Sequence, residues 1–289
     1  MDGWIILDKE SGLFSRTAGG RLARMLGAKT FGHIGTLDPM ASGVLPIALG
    51  RATKMIPFIE DAAPNVKEYQ FSLQFGFETD TLDITGRELR RDDFTPTPDA
   101  VLGVLPGFIG AQLQVPPLYS AVHVDGRRAY DIARRGGNVD VPPRHITIYS
   151  LEYTGRCGAS WHFRVRCSRG TYVRAIGRDI AAKCGAIATV DMIRRTESNG
   201  YTLKNAVKLD FLENLFNNSS DIKEYLMPID FGLGDIPVLN LNDKDAALYA
   251  NGGFIGTAQD DGLRRVYNND RFIGIGHITD GILRPKRTI

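Results

Sequence analysis

Nine residues, Gly35-Thr-Leu-Asp-Pro-Met-Ala-Ser-Gly43, hold the strongest candidate for chemistry in this chain. A lone carboxylate, Asp38, stands in front of a proline and between two glycines. Proline disfavours the helical conformation at the residue before it, which pushes Asp38 toward extended backbone values. The glycines permit tight turns and the close approach of another segment on either side. A carboxylate on such a stiff apex is suited to meeting a substrate. The same residues also fit an ordinary Asx-Pro turn with no catalytic task. His33 lies five residues before Asp38, and the run Val44-Leu-Pro-Ile-Ala-Leu-Gly-Arg-Ala-Thr-Lys54 follows.

The whole run FGHIGTLDPMASGVLPIALGRATK closely resembles the catalytic segment of TruB-type tRNA pseudouridine synthases, whose pattern GxLDPxA(S/T)G it matches. The resemblance implies conversion of uridine 55 in the T arm of tRNA to pseudouridine, with Asp38 as the nucleophile. Further segments match in the family's order along essentially the whole chain. Lys67-Glu-Tyr69 supplies the tyrosine that, in the family, lies against the target base and serves in proton transfer; taken alone, Tyr69 fits packing in a strand. CSRGTYVRAIGRDIA supplies Arg174, which the resemblance pairs with the catalytic carboxylate, and Tyr172 as a pocket residue. An arginine beside Asp38 would orient it and lower its pKa, although Arg174 alone also fits a structural or surface phosphate-binding role. The resemblance places His33 in the space left by a flipped uridine and Lys9, in LDKESG, near the pocket. A buried hydrogen-bonded histidine and a solvated turn lysine are the plain alternatives. In QVPPLYSAVHVDGRRAYDIARRG, Tyr119 and Ser120 become candidate pocket or RNA-loop contacts, with core packing open for Tyr119. Arg127, Arg128, Arg134 and Arg135 become phosphate contacts or a solvated helix face. The chain departs from the family's pattern at Glu10, His123 and Asn199-Gly200.

Pseudouridylation breaks the bond from ribose C1′ to uracil N1 and remakes it to C5, a redox-neutral isomerisation. An aspartate nucleophile divides such a substitution into easier steps through a covalent intermediate. Acting on a base in structured RNA requires extruding it, at a cost of about a few kcal/mol. The chain carries no Walker loop, no GxGxxG and no metal-ligand His/Cys spacing, so no cofactor and no metal are expected. A glycosidase would need a second positioned carboxylate, and only Asp38 sits in such a loop. A non-catalytic RNA-binding protein would use the same arginines without the Asp38, Tyr69 and Arg174 set.

These residues need elements to hold them. Residues 3–8 read as a buried strand, Ser15 as the cap of a helix ending near Gly27, and 44–49 as a buried strand. A helix interrupted or ended near Pro57 spans 52–60, a strand 68–77, and a basic helix 127–135. Strands follow at 145–154 and 161–168, then a helix from Thr171 to about Lys183 whose opening Gly170-Thr171 favours anions. Beyond Pro237 a helix near 243–250 and strands near 263–267, 271–278 and 282–287 form a small β-rich unit. That unit resembles a PUA domain, an RNA-binding module. The expected fold is α/β (α+β): a mixed, largely antiparallel sheet flanked by helices in a catalytic domain over 1–236, and a PUA-like domain over 237–289.

Composition bounds the partners. The 289 residues are 43% hydrophobic and 24% charged, ordinary values for a globular protein. No run of about 18 apolar residues is present, so no membrane span is expected. The N-terminus does not read as a signal peptide. Three cysteines without CxxC spacing argue against disulfides or zinc and for a reducing cytoplasm. The net charge of +2 hides an asymmetry: residues 121–195 carry 13 Arg and 1 Lys against 5 Asp and 1 Glu, a local charge of +8. Such arginine enrichment suits phosphate contact. The expected partner is tRNA, met by a monomer.

Overall fold

The computed structural model describes residues 1–62, 65–120, 122–124, 127–128, 132, 141–218 and 221–289. Its centre is a ten-stranded sheet among the described residues. The strands run across it in the order Val207–Lys208, Gly3–Lys9, Ser42–Leu49, Ala188–Ser198, Val66–Phe75, Ser160–Ser168, Arg144–Cys157 and Gly110–Gln114. Phe31–His33 adds to Ser42–Leu49, and Tyr201–Thr202 adds to Ala188–Ser198. Most neighbours are antiparallel. Gly3–Lys9 with Val207–Lys208, and Ser42–Leu49 with Ala188–Ser198, are parallel. The mixed, largely antiparallel α/β architecture is the expected one.

The apolar run at the N-terminus follows from burial of both faces of its strand. Side chains alternate along a strand, so Ile5 and Leu7 join the core under the helices with Leu22, Phe71, Phe163 and Ile176. Trp4 and Ile6 join a second core on the opposite face with Val44, Ala48, Met55 and Ile59. A strand buried on both faces has no polar positions to alternate with, which is why GWIILD reads as continuous.

Four local expectations need correction. Ser15 is the first residue of the helix Ser15–Met25, not its cap; Phe14 stands at the N-cap position, and the Ser15 hydroxyl is engaged by the Asp38 loop. Pro57 sits in the first turn of the helix Ile56–Asp61 and so starts it, where a missing N–H costs nothing; a 3₁₀ segment, Gly50–Met55, precedes it. The helix Val173–Lys183 begins after Tyr172 rather than at Gly170-Thr171, because the Thr171 hydroxyl donates back to the Ser168 carbonyl. A fourth concerns the basic helix: Arg127–Arg128 is a two-residue strand paired antiparallel with His123–Val124. The Asp-Gly pair between them in the sequence is a hairpin signal that the run of basic residues obscured. Residues 129–131 and 133–135 of that expected helix lie outside the described residues.

At the C-terminal end, Val238–Leu241, Gly262–Asn268, Arg271–Thr279, Ile282–Thr288 and Ile255–Gly256 form a five-stranded sheet in that order. The helix Asp243–Ala250, capped by Asn242 on the Asp245 N–H, covers it through Ala246 and Tyr249. Asn269 and Asp280 take the left-handed backbone of tight turns. This unit docks on the main sheet. Ile275 is buried in the same core as Trp4, Lys54 donates to the Thr288 carbonyl at 2.9 Å, and Arg265 pairs with Asp230 at 3.1 Å.

Sheet order also decides where distant segments meet. Gly43, Arg195 and Tyr69 stand side by side on three adjacent strands. Gly43 has φ of +103°, and a Cβ there would lie 2.1 Å from the Arg195 carbonyl oxygen. Gly43→Ala is therefore expected to lower stability by about 2 kcal/mol or more. Denaturant unfolding checks this; a change under half that size would show that the strands part easily here.

Candidate active site

The Asp38 loop is fixed from below by the segment that follows the first strand. Ser15 Oγ donates to the Leu37 carbonyl at 2.8 Å and accepts from the Leu37 N–H at 3.0 Å. The Pro39 carbonyl accepts from the Gly12 N–H at 2.7 Å and from Lys9 Nζ at 3.2 Å. Ser11 donates to the Met40 carbonyl at 2.8 Å. Lys9 is fully buried and also donates to the carbonyls of Glu10 and Leu13, at 2.9 and 2.7 Å. It is neither a solvated turn lysine nor a free pocket cation, since its ammonium protons are engaged in holding the loop. Burial lowers its pKa to about 8, against the opposing charge of Asp38.

Above the loop, Arg174 from the helix Val173–Lys183 meets Asp38: Nε stands 2.9 Å from Oδ2. The Arg174 side chain is 5% exposed and that of Asp38 is 39% exposed, so the arginine is buried and the carboxylate looks out past it. Every edge of the guanidinium is occupied. Nη1 donates to the Thr81 carbonyl at 2.7 Å and pairs with Asp83 at 3.3 Å, and Nη2 donates to the Tyr119 carbonyl at 3.0 Å. Asp83 is a second carboxylate beside the site that sequence reasoning missed. It is no free proton donor: it accepts from the Thr85 N–H at 3.0 Å, Thr85 Oγ1 at 2.5 Å and Thr81 Oγ1 at 3.0 Å. The Thr-Asp-Thr-Leu-Asp-Ile-Thr run from residue 79 to 85 carried a signal for this, because Asp and Thr bonding their own backbone make such compact turns.

The net direction of the Asp38 pKa corrects the expectation drawn from its arginine. Burial raises it above the ordinary aspartate value, the pull of Arg174 opposes, and the nearby Asp83 charge adds to the rise. Arg174 divides its charge between two carboxylates, so it only partly offsets the lost hydration.

Tyr69 projects from Val66–Phe75 into the same region, 7% exposed. Burial raises its phenol above the ordinary value, and Arg195 is the foremost group opposing that rise. Arg195 is a second residue that sequence reasoning passed over. His33 ends the short strand Phe31–His33, half-buried, with Nε2 3.0 Å from Thr36 Oγ1. Burial, and then Arg195, lower its pKa below the usual histidine value, so it is a neutral group at the edge of the loop.

Tyr172, Tyr119 and Ser120 close the other side. Gln114 holds both main-chain groups of Tyr172, accepting from its N–H at 2.8 Å and donating to its carbonyl at 3.2 Å. The Tyr172 phenol is raised by burial, and the Ser120 hydroxyl opposes that rise. Tyr119 contributes its carbonyl to Arg174 rather than a ring to the core. The side chains of Arg127 and Arg128, and Arg134 and Arg135 entirely, lie outside the described residues. No cluster of three or more His, Cys, Asp or Glu suited to a metal occurs among the described residues. The arrangement offers one accessible carboxylate, oriented by a saturated arginine, beside a buried tyrosine and a neutral histidine. That is a single open carboxylate with a wall, not a pair of free acids.

The chain is similar to proteins of one known family over nearly its whole length. Residues 23–173 match the model of the TruB family pseudouridylate synthase N-terminal domain, and residues 237–289 that of the pseudouridine synthase II TruB C-terminal region. A tRNA pseudouridine synthase B of Caulobacter sp. (strain K31) is 44% identical over 253 residues, covering 87% of this chain and 80% of the relative. One from Gluconacetobacter diazotrophicus is 38% identical over 301 residues, covering 100% and 97%. The fold is similar to that in a solved Cbf5-Nop10-Gar1 complex, with TM-score 0.72 and 22% identity over 99% of this chain and 84% of that one. No helix among the described residues is long and apolar enough to cross a membrane. Asp38 thus lies within the segment matched by the N-terminal family model, relatives match along the full chain, and the chain belongs to the TruB family of pseudouridylate synthases.

Proposed function

We propose that this protein converts uridine 55 in the T arm of tRNA to pseudouridine, with Asp38 as the nucleophile acting on a uridine flipped out of the T loop. The observation that carries this reading is the 2.9 Å pair between a partly exposed Asp38 and a buried Arg174. A carboxylate fixed in direction yet open to solvent can reach a substrate carbon, whereas Asp83 cannot leave its bonds. The isomerisation balances without a cofactor: the C1′–N1 bond is exchanged for a C1′–C5 bond, and the proton that leaves C5 is matched by one gained at N1. Tyr69 packs against the base and serves in that proton transfer, and Arg174 orients the nucleophile. His33 takes the place of the extruded base, at a site where flipping costs about a few kcal/mol. Tyr119, Ser120 and Tyr172 line the pocket, and Arg127 and Arg128 meet phosphates. The relatives' name, tRNA pseudouridine synthase B, supports tRNA as substrate, and the local charge of +8 over residues 121–195 supports a polyanion. In this reading residues 1–236 form the catalytic domain, 237–289 a PUA-like RNA-binding domain, and the protein works as a monomer in the cytoplasm.

Asp38→Asn is expected to lower single-turnover pseudouridine formation on unmodified tRNA by at least on the order of 10³-fold while tRNA affinity stays largely intact. Chemical mapping of position 55 reads the outcome, and near-normal product would sink the assignment. Tyr69→Phe keeps the ring and removes the hydroxyl, so its single-turnover rate should fall; an unchanged rate would confine Tyr69 to stacking.

The pH dependence has a defined sign. Asp38 must be ionised to attack, and burial holds its pKa above the ordinary aspartate value of 3.8. The rate should therefore fall, as pH is lowered, at a higher pH than an ordinary aspartate would give. That limb should survive in His33→Asn, and a limb at or below 3.8 would contradict the desolvated carboxylate.

A further inference from the structure

The two glycines that bracket the Asp38 loop both make room for one residue, Arg195. A Cβ on Gly35 would lie 3.0 Å from Arg195 Nη1, and a Cβ on Gly43 would lie 2.1 Å from the Arg195 carbonyl oxygen and 2.8 Å from its nitrogen. Arg195 is 0% exposed. Its Nε donates to the Val44 carbonyl at 2.7 Å and its Nη2 to the Gly35 carbonyl at 2.8 Å. These carbonyls stand on opposite sides of Asp38, so one guanidinium ties both ends of the loop. The remaining corner is different: Nη1 is buried and has no hydrogen-bond partner among the described residues. Leaving such a donor unmade inside a protein is unfavourable, and a charged one more so.

Tyr69 is the Cα partner of Arg195 on the neighbouring strand, and its phenol is sensitive to the Arg195 charge. Lys67, two residues along on the same face, brings a second cation to this corner: the point where a Gly35 Cβ would stand is 2.6 Å from Lys67 Nζ. Neither Lys67 nor Arg195 makes an ion pair with a carboxylate among the described residues. Around Arg174 the cation is balanced by Asp38 and Asp83; around Tyr69 it is not.

We propose that Arg195 is a positioning residue for the reaction, fixing the Asp38 loop through Nε and Nη2 and orienting the Tyr69 hydroxyl toward the flipped uridine through its free Nη1. The inference rests on the uridine isomerisation proposed above. A guanidinium suits the task because its planar fork presents donors in several fixed directions, and a lysine ammonium cannot span the same three groups.

The test is a double-mutant cycle between Arg195→Lys and Tyr69→Phe, each variant first checked for a cooperative melt and for tRNA affinity. Arg195→Lys keeps the charge. It is expected to lower the single-turnover rate at saturating tRNA on the order of 10²-fold, with the dissociation constant for tRNA within about threefold of wild type. In the Tyr69→Phe background the same substitution should cost at least about fivefold less, since the coupled hydroxyl is gone. Equal losses in both backgrounds, or a loss expressed wholly as weaker binding, would overturn the proposal and leave Arg195 a structural residue. Arg195→Gln, which retains a donor for one carbonyl, serves if the lysine variant does not fold. Wild-type protein that forms no pseudouridine would refute the function itself, an outcome separate from either result of the cycle.

Discussion

The guanidinium of Arg174 is buried with a partner on every edge, and the site is organised around it. Arg174 is removed from water by the packing of Val173–Lys183 against the sheet. A charge in that position is costly unless paired and hydrogen-bonded. Three separate segments supply its partners: Asp38 from the first loop, Thr81 and Asp83 from the turn after Val66–Phe75, and Tyr119 from the stretch after Gly110–Gln114. Because the arginine needs all of them at once, their relative positions are set by its geometry. Gln114 strengthens this by holding the main chain of Tyr172, immediately before the helix that carries Arg174.

The same interaction explains why Asp38 is both oriented and hard to ionise. A carboxylate with an arginine of its own would have a depressed pKa. Here the arginine is shared with Asp83, and the surroundings withdraw water, so the balance moves upward. Orientation comes from the hydrogen bond, while the cost of the charged form comes from the partial loss of water around a carboxylate that remains partly exposed.

The two sides of the loop differ in kind. On the Ser15 and Lys9 side the contacts are hydrogen bonds to carbonyls and are complete. On the Arg195 side the guanidinium donates to the Val44, Gly35 and Ile34 carbonyls, and its Nη1 has no hydrogen-bond partner among the described residues. Rigid support on one face and an unfinished network on the other suit the proposed reading, in which Asp38 is held still while a base is accommodated.

Much of this protein was legible from residue order. The stiff Asp38 apex, the buried strand at GWIILD, the hairpin turns at Asn268-Asn269 and Asp280-Gly281, and the mixed sheet all follow from local preferences that act within a few residues. Family motifs added Tyr69 and Arg174. Residue order carried a signal for the turn that holds Asp83 but not for the roles of Gln114 and Arg195, because those arise from partners 58 residues away for Gln114 and 151 to 160 residues away for Arg195. Nor could it tell that Lys9 is consumed by carbonyls, or that Ser15 holds the loop in place of capping its helix. Local pattern records which conformations a segment favours; partnership, burial and the sign of a pKa depend on which distant groups exclude water from one another. The sequence by itself determined the carboxylate and its rigid turn. Only the tertiary structure decided what that carboxylate faces and how readily it carries its charge, since both depend on groups brought together by sheet order.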